Sequence, residues 1–222
     1  ANLQEKRMAM YKSLFDLSIE ETVSTEMPHT VKFSNETGTG SMIICPLFLG
    51  AELYYNDMHL AFFEEKPAPA RNVIEINHCR VGRYECSFGE NSCCYLAAGD
   101  FAVCAAARKK SSSCFPLRHY HGITILLDLD AITPKMRREM EWYGIDLDVI
   151  RRYICTENRC CILRSAPTIA HVFSELYTVH SVPDTGYLRL KVLELLHILT
   201  RLKSREDVQQ TEYFNQHQVE CV

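Results

Sequence analysis

The hydrophobic pattern of this 222-residue chain changes period near residue 130. Before that point, short β-rich segments alternate with turn residues, as half-buried strands do. After it, apolar residues recur at the spacing that one face of a helix requires. The chain therefore predicts a sheet unit first and a helical unit second.

Seven strands are predicted in the first unit, and glycines at 82, 89 and 99 supply turns between them. The predicted strands cover residues 41–48, 52–63, 71–80, 83–88, 92–98, 101–105 and 121–128. Short strands joined by tight turns are typical of a sandwich or a barrel. Residues 1–17 predict an amphipathic helix or arm, and residues 20–40 an extended lead-in.

The second unit carries helix signals. Thr133 can cap a helix whose first residue is Pro134, and Gly144 follows its predicted end near residue 143. Further helices are predicted at 147–154, from about 165 to 180, and at 187–202. The last helix has an apolar stripe, which we interpret as a homodimer interface. Its predicted interface residues are Leu188, Val192, Leu195, Leu199 and Leu202. The alternative is that this helix packs on the chain's own sheet.

Composition narrows the function classes. The formal net charge of −4 does not favour a nucleic-acid-binding surface, which usually carries a basic excess. No apolar run approaches the roughly 18 residues that a membrane span needs, and the start of the chain has no secretion signal. We therefore expect a cytoplasmic protein without membrane contact.

The chain has eleven cysteines and no C-x-x-C motif. An odd number without a secretion signal argues against a disulfide framework, so we predict mostly buried, reduced thiols. Redox sensing by Cys93 and Cys94, or by Cys160 and Cys161, is the alternative. We found no nucleotide-binding loop, no nucleophile elbow and no H-E-x-x-H motif, and we expect a protein that is not an enzyme.

Four segments carry a resemblance to a known family. They are residues 76–86, 95–101, 119–125 and 213–219. Together with the order of sheet and helices, these segments resemble the N-terminal effector domain of AraC/XylS-type transcription regulators. The similarity covers about residues 28–222, through loose motifs.

The resemblance implies an α+β fold: a cupin-like β-barrel of the jelly-roll type, followed by a C-terminal helical subdomain. Residues 1–130 would form the arm and the effector-binding barrel, and residues 131–222 the dimerisation subdomain and the start of a linker. In this family, helix-turn-helix motifs that bind DNA follow such a segment, and this chain ends before them. The expected partners are thus a small-molecule effector, a second copy, and DNA only through a further domain.

Strand alternation indicates which side chains could line a ligand pocket in the barrel. The predicted pocket residues are Ile74, Ile76, His78, Tyr84, His119, His121, Ile123 and Ile125. Sugars, short peptides, aromatic metabolites and siderophores all stay open as the effector. A plain interaction module with a filled barrel is a further alternative.

A metal-dependent cupin enzyme is the competing function. Cupin enzymes hold a metal with an H-x-H pair, a later glutamate and a final histidine. His119 and His121 form an H-x-H pair, and a hairpin turning at Val81-Gly82 would bring His78 near Glu85. Here the pair follows the glutamate, which departs from the enzyme pattern. We therefore predict no metal and no cofactor, and keep a site of these four residues as the alternative.

Overall fold

The computed structural model describes residues 28–63, 72–88, 93–105, 110–153, 161–163, 167–179 and 184–202. The predicted arm at 1–17 and the segment after residue 202 lie outside the described residues. The described strands are β1 (His29–Asn35), β2 (Gly38–Phe48), β3 (Ala51–His59), β4 (Phe62–Phe63), β5 (Val73–Phe88), β6 (Cys93–Ala97), β7 (Phe101–Ala105), β8 (Lys110–Cys114), β9 (Tyr120–Asp128) and β10 (Cys161–Leu163). The described helices are α1 (Pro134–Trp142), α2 (Leu147–Tyr153), α3 (Pro167–Thr178) and α4 (Thr185–Arg201).

The strands form two layers of antiparallel sheet. The main sheet has the order β1-β2-β3-β9-β5-β7-β10, and the small sheet pairs β4 with β8, β8 with β5, and β5 with β6. The fold is a mostly antiparallel β-structure followed by helices, so the predicted α+β class, with a sheet unit before a helical unit, is confirmed.

Strand β5 belongs to both sheets. It runs for 16 residues without a break, and its pairing with β9 shifts between Cys79 and Val81. The predicted division into two strands, with a hairpin turn at Val81-Gly82, is therefore wrong. A bulge bends a strand and increases its twist, which lets one strand cross from the main sheet into the small one.

Gly82 allows the close approach of β5 and β9 at this bend. Its φ of +87° lies in the left-handed region, and a Cβ built there would meet the backbone oxygen of His119 at 1.8 Å. Only glycine avoids both penalties. The position explains a turn-like residue in the middle of a long strand.

Replacing Gly82 with alanine is expected to lower the free energy of unfolding by about 2 kcal/mol, because φ and the His119 carbonyl both oppose a Cβ. Equilibrium unfolding in urea measures the loss. Gly186→Ala, in the first turn of α4 and outside the left-handed region, is the matched control, with a change within about 0.5 kcal/mol. Equal losses in both variants would contradict the role of Gly82.

The main sheet is covered on both faces. Its outer face packs against the helices in one hydrophobic cluster, which includes Ile76 and Ile125 of the sheet and Phe173 of α3. Its inner face packs against the small sheet in a second cluster, which includes Tyr54 and Cys79. Neighbouring residues of β5 and β9 therefore point into two different cores.

The apolar stripe of α4 lies against the chain's own sheet. Four of the five predicted interface residues, Leu188, Val192, Leu195 and Leu199, have no exposed surface within a single chain. Leu202, directly after the helix, is half-buried against the same cluster. The structure thus has the alternative arrangement, in which this stripe belongs to the interior, and those four side chains are not free to contact a second copy.

Local signals placed the helix starts well. Thr133 Oγ1 accepts a hydrogen bond from Met136 N at 3.2 Å, with Pro134 at the first helical position, as predicted. Asp184 caps α4 by accepting from the backbone N–H of Gly186 and Tyr187. The elements that were not predicted are β8, which lies between β4 and β5 in the small sheet, and β10, whereas β1 falls within the predicted extended lead-in. Of these, β10 returns from the helical unit and pairs with β7.

The cysteine prediction holds for most described thiols. Cys45, Cys79 and Cys86 are buried and reduced, and burial raises the pKa of the first two thiols to about 12. Such thiols are inert. Cys104 is different, because it forms a disulfide bond. For Cys104 the prediction of a reduced thiol is wrong.

Candidate functional site

Polar side chains line the centre of the inner face of the main sheet. Glu52, Asn56, Glu75 and Asn77 are each buried, although this face packs against an apolar cluster. Burying polar groups costs free energy unless they are hydrogen-bonded. A row of four on neighbouring strands is more than the packing of two sheets requires.

Three of these groups, Asn56, Asn77 and Glu75, form a continuous hydrogen-bond network with Thr124 across three strands. Asn56 Nδ2 on β3 donates to Thr124 Oγ1 on β9 at 2.9 Å, and Thr124 Oγ1 donates to Asn77 Oδ1 on β5 at 2.7 Å. Asn77 Nδ2 then donates to Glu75 Oε1 at 2.6 Å. On β3, the Tyr54 hydroxyl donates to Glu52 Oε2. We call these six residues the polar row.

The middle of the polar row is not sealed. Thr124 and Leu126 point to the inner face of β9, which lies between β3 and β5, and both keep part of their surface exposed. On the outer face of the same strand, Ile123, Ile125 and Leu127 have no exposed surface. Solvent therefore reaches the inner face at its centre, where the hydrogen-bonding groups are.

Most of the predicted pocket residues lie on the opposite face. Ile74, Ile76, Ile123 and Ile125 are fully buried under the helices, so they are core residues of the helix layer. The alternation assigned them correctly to one common face. The interpretation of that face as the barrel interior is wrong, because both faces of this sheet are covered. Tyr84 does lie in the inner cluster, where the small sheet begins.

His78 connects the outer face of the sheet to helix α3. Its ring stacks on Phe173 with centroids 4.1 Å apart, and its Nδ1 lies 3.0 Å from the hydroxyl oxygen of Tyr177. Burial, with a smaller effect from the Arg80 charge, lowers the pKa of His78 to about 4. The imidazole is therefore neutral at pH 7 and acts as a packed contact between layers, as does Tyr55, whose hydroxyl donates to the Leu176 carbonyl at 2.7 Å.

The four residues of the predicted metal alternative are not brought together. Glu85 lies beyond the bend of β5, on its small-sheet half, and pairs with Arg83 at 2.7 Å. His78 is held by Phe173 and Tyr177. Only His119 and His121 meet, with ring centroids 4.7 Å apart. The hairpin that would have joined His78 to Glu85 is absent because β5 bends at this point and continues as one strand.

His119 and His121 instead meet two residues that the sequence reasoning missed, Asp57 and His59. His59 Nδ1 lies 3.4 Å from His119 Nδ1, and Asp57 Oδ1 lies 2.9 Å from His59 Nε2 and 3.3 Å from His121 Nε2. One nitrogen of each imidazole lies within 4.8 Å of the others. We call these four residues the histidine square. Its available signal was a second alternating pair, Asp57-x-His59, matching His119-x-His121.

None of the helices in the described part of the chain is both long and apolar enough to cross a membrane. The sequence matches no known protein-family model. It also matches no curated protein.

Solved structures with a similar arrangement include two regulators and one further protein. The AraC-like transcriptional activator CuxR is 6% identical, with 77% of this chain and 59% of that chain aligned at a TM-score of 0.47. An apo form of ToxT from Vibrio cholerae is 9% identical over 78% of this chain and 64% of its own, also at 0.47. A glyoxylate-induced protein from Pseudomonas aeruginosa is 9% identical over 51% and 49%, at 0.34. This chain thus spans about three-fifths of the length of the two regulators.

Proposed function

We propose that this chain is the ligand-sensing domain of a bacterial AraC-type transcription regulator, with a binding role and no catalytic one. The observation that carries the sensing role is the polar row at a solvent-reached point of an otherwise apolar inner face. Ligand sites are typically apolar concavities with a few placed polar groups. The assignment to a regulator rests on the sequence resemblance described above.

The chemistry of the polar row favours a guest that donates hydrogen bonds. Glu52 and Glu75 lie on either side of Leu126, on the strands that flank β9. Ionised carboxylates accept hydrogen bonds and cannot donate them, and amide and hydroxyl groups can adapt to either role. A polyhydroxylated or amine-bearing small molecule fits this set better than an anion does.

A bound guest can be communicated to the helices through β5. This strand presents Glu75 and Asn77 to the inner face and His78 to Phe173 and Tyr177 on the outer face. A guest that moves β5 therefore acts on α3 across one layer of backbone. It shifts a population only when its affinity differs between the two arrangements of strand and helix.

The proposed regulator would act on DNA through a further domain and would work as a homodimer. The buried stripe of α4 does not supply the dimer contact, because its side chains fill the interior of a single chain. A second copy would have to bind another surface of the domain.

Native mass spectrometry of the chain purified from its own host tests the sensing role. We expect the wild type to retain a small molecule, and Asn77→Ala to lose it, because Asn77 joins Thr124 to Glu75 in the polar row. Asn72→Ala is the matched control, since Asn72 bonds Asp130 outside the polar row. Circular dichroism verifies that both variants fold.

Retention of the same mass by the Asn77 variant would contradict a site at the polar row. A wild-type chain that carries no small molecule from its host would count against the sensing role as a whole.

A further inference from the structure

The histidine square lies where the ends of β3 and β9 meet on the outer face of the main sheet, and we propose that its three imidazoles bind one Zn²⁺ ion. This proposal concerns residues outside the polar row and does not depend on the sensing role. It also differs from the four-residue metal alternative considered from the sequence, of which it shares only His119 and His121.

Two adjacent antiparallel strands build the square. Asp57 of β3 is the register partner of His121 of β9. His59 lies two residues after Asp57, and His119 two residues before His121, so all four side chains alternate onto one face. Directly opposed side chains on such strands have Cβ atoms about 5 Å apart. The backbone register therefore brings together residues that are 60 positions apart in sequence.

The three ring nitrogens lie within 4.8 Å of one another, and the distance between two of them is close to that between ligands of a tetrahedral ion. With Zn–N bonds of about 2.05 Å, two nitrogen ligands of tetrahedral zinc lie about 3.3 Å apart. The Nδ1 atoms of His59 and His119 are 3.4 Å apart. The three rings are tilted at 42°, 64° and 82° to one another, so they converge without stacking in parallel.

Asp57 contacts the other edges of these rings. Its Oδ1 is shielded from solvent and lies against Nε2 of both His59 and His121, in a geometry that does not make a regular hydrogen bond to either. Metal-binding histidines commonly present the nitrogen that does not bind metal to a carboxylate, which fixes ring orientation. We assign Asp57 as the positioning residue and the three histidines as the ligands.

The ligand set selects the class of ion. Three imidazoles suit late first-row divalent metals, whereas Ca²⁺ and Mg²⁺ require mainly oxygen ligands. Three protein ligands leave a fourth tetrahedral position for water. The side chains of His59 and His121 are 50% and 37% exposed, so an ion reaches them without any opening of the fold. The ion would fasten β3 to β9 at their ends.

Isothermal titration of the full chain with ZnCl₂ at pH 7.5 tests this proposal. We expect one equivalent to bind, and His59→Ala and His121→Ala each to weaken the affinity by at least tenfold. His171→Ala is the matched control, because His171 is also an exposed histidine 3.0 Å from a carboxylate, that of Glu194. It should leave the affinity unchanged. Asp57→Asn should weaken binding about tenfold while the unfolding midpoint of the metal-free protein stays the same.

Substitution by Co²⁺ identifies the ligand type, since the chain also has eleven cysteines. We expect visible bands of a tetrahedral complex without thiolate-to-cobalt charge transfer. Thiolate bands, equal affinity in the wild type and the His59 and His121 variants, or no binding by a folded wild type would each overturn the site. His59→Gln and His121→Gln replace the alanine variants if those do not fold.

Discussion

Replacing Leu195 with alanine is expected to lower the free energy of unfolding by about 3 kcal/mol. Leu195 has no exposed surface and belongs to the cluster that joins α4 to the outer face of the sheet. Truncating such a leucine loses its transfer free energy and leaves a cavity, which together cost about 2–5 kcal/mol. This is a large fraction of the total stability of an ordinary domain. Urea unfolding followed by circular dichroism measures the loss.

Leu190→Ala on the same helix is the matched control. Leu190 is 66% exposed, so its truncation should change the free energy of unfolding by no more than about 0.5 kcal/mol. The pair separates the two interpretations of this helix. If the stripe were a dimer interface, unfolding of the wild type would depend on protein concentration, and Leu195→Ala would weaken the dimer while the folded monomer lost little stability.

Acid should destabilise the protein through His78. The pKa of this imidazole is about 4 in the folded chain, against about 6.5 when unfolded. A lowered pKa means that the unfolded chain takes up a proton first as the pH falls. The stabilising effect is therefore complete above pH 6.5 and is lost progressively towards pH 4. The difference of about 2.5 pKa units corresponds to roughly 3 kcal/mol.

His78→Gln isolates this effect from other titrations. Glutamine keeps a hydrogen-bonding group beside Tyr177 but does not titrate, and Arg80 is present in both proteins. The stability difference between wild type and variant, measured by urea unfolding at pH 7 and pH 4, should change by about 3 kcal/mol in the variant's favour. Parallel pH profiles for the two proteins would show that His78 is not neutral and buried as described.

Local patterns predicted what depends on local chemistry. Strand 101–105 has the predicted bounds, and Thr133 with Pro134 starts α1 as expected. The hairpin at Val81-Gly82 was wrong because glycine at a left-handed φ is shared by turns and by bends within a strand. A turn and a bend differ in what lies beside the glycine. Here it is the backbone carbonyl of His119, which is distant in sequence.

The polar row and the histidine square could not be predicted, because their positions depend on which faces are covered and which strands pair. Alternation grouped Ile74, Ile76 and His78 correctly, but it does not say which of two covered faces lines a pocket. Glu75 and Asn77 of the polar row alternate with these residues on β5 and point to the other face. The histidine square depends on the pairing of β3 with β9. The residues around Asp57 do not indicate which strand lies beside β3.

Strand β10 has a consequence for how the two units can move. It lies in sequence between α2 and α3, yet its three residues extend the edge of the main sheet beside β7. The chain thus returns to the sheet between two helices, and the sheet and the helices share one hydrophobic core. Moving the sheet and the helices apart as rigid bodies would break the pairing of β10 with β7. A signal that passes between them therefore has to take the form of a sliding or twisting motion. Residue 130 is a change of architecture and not a hinge.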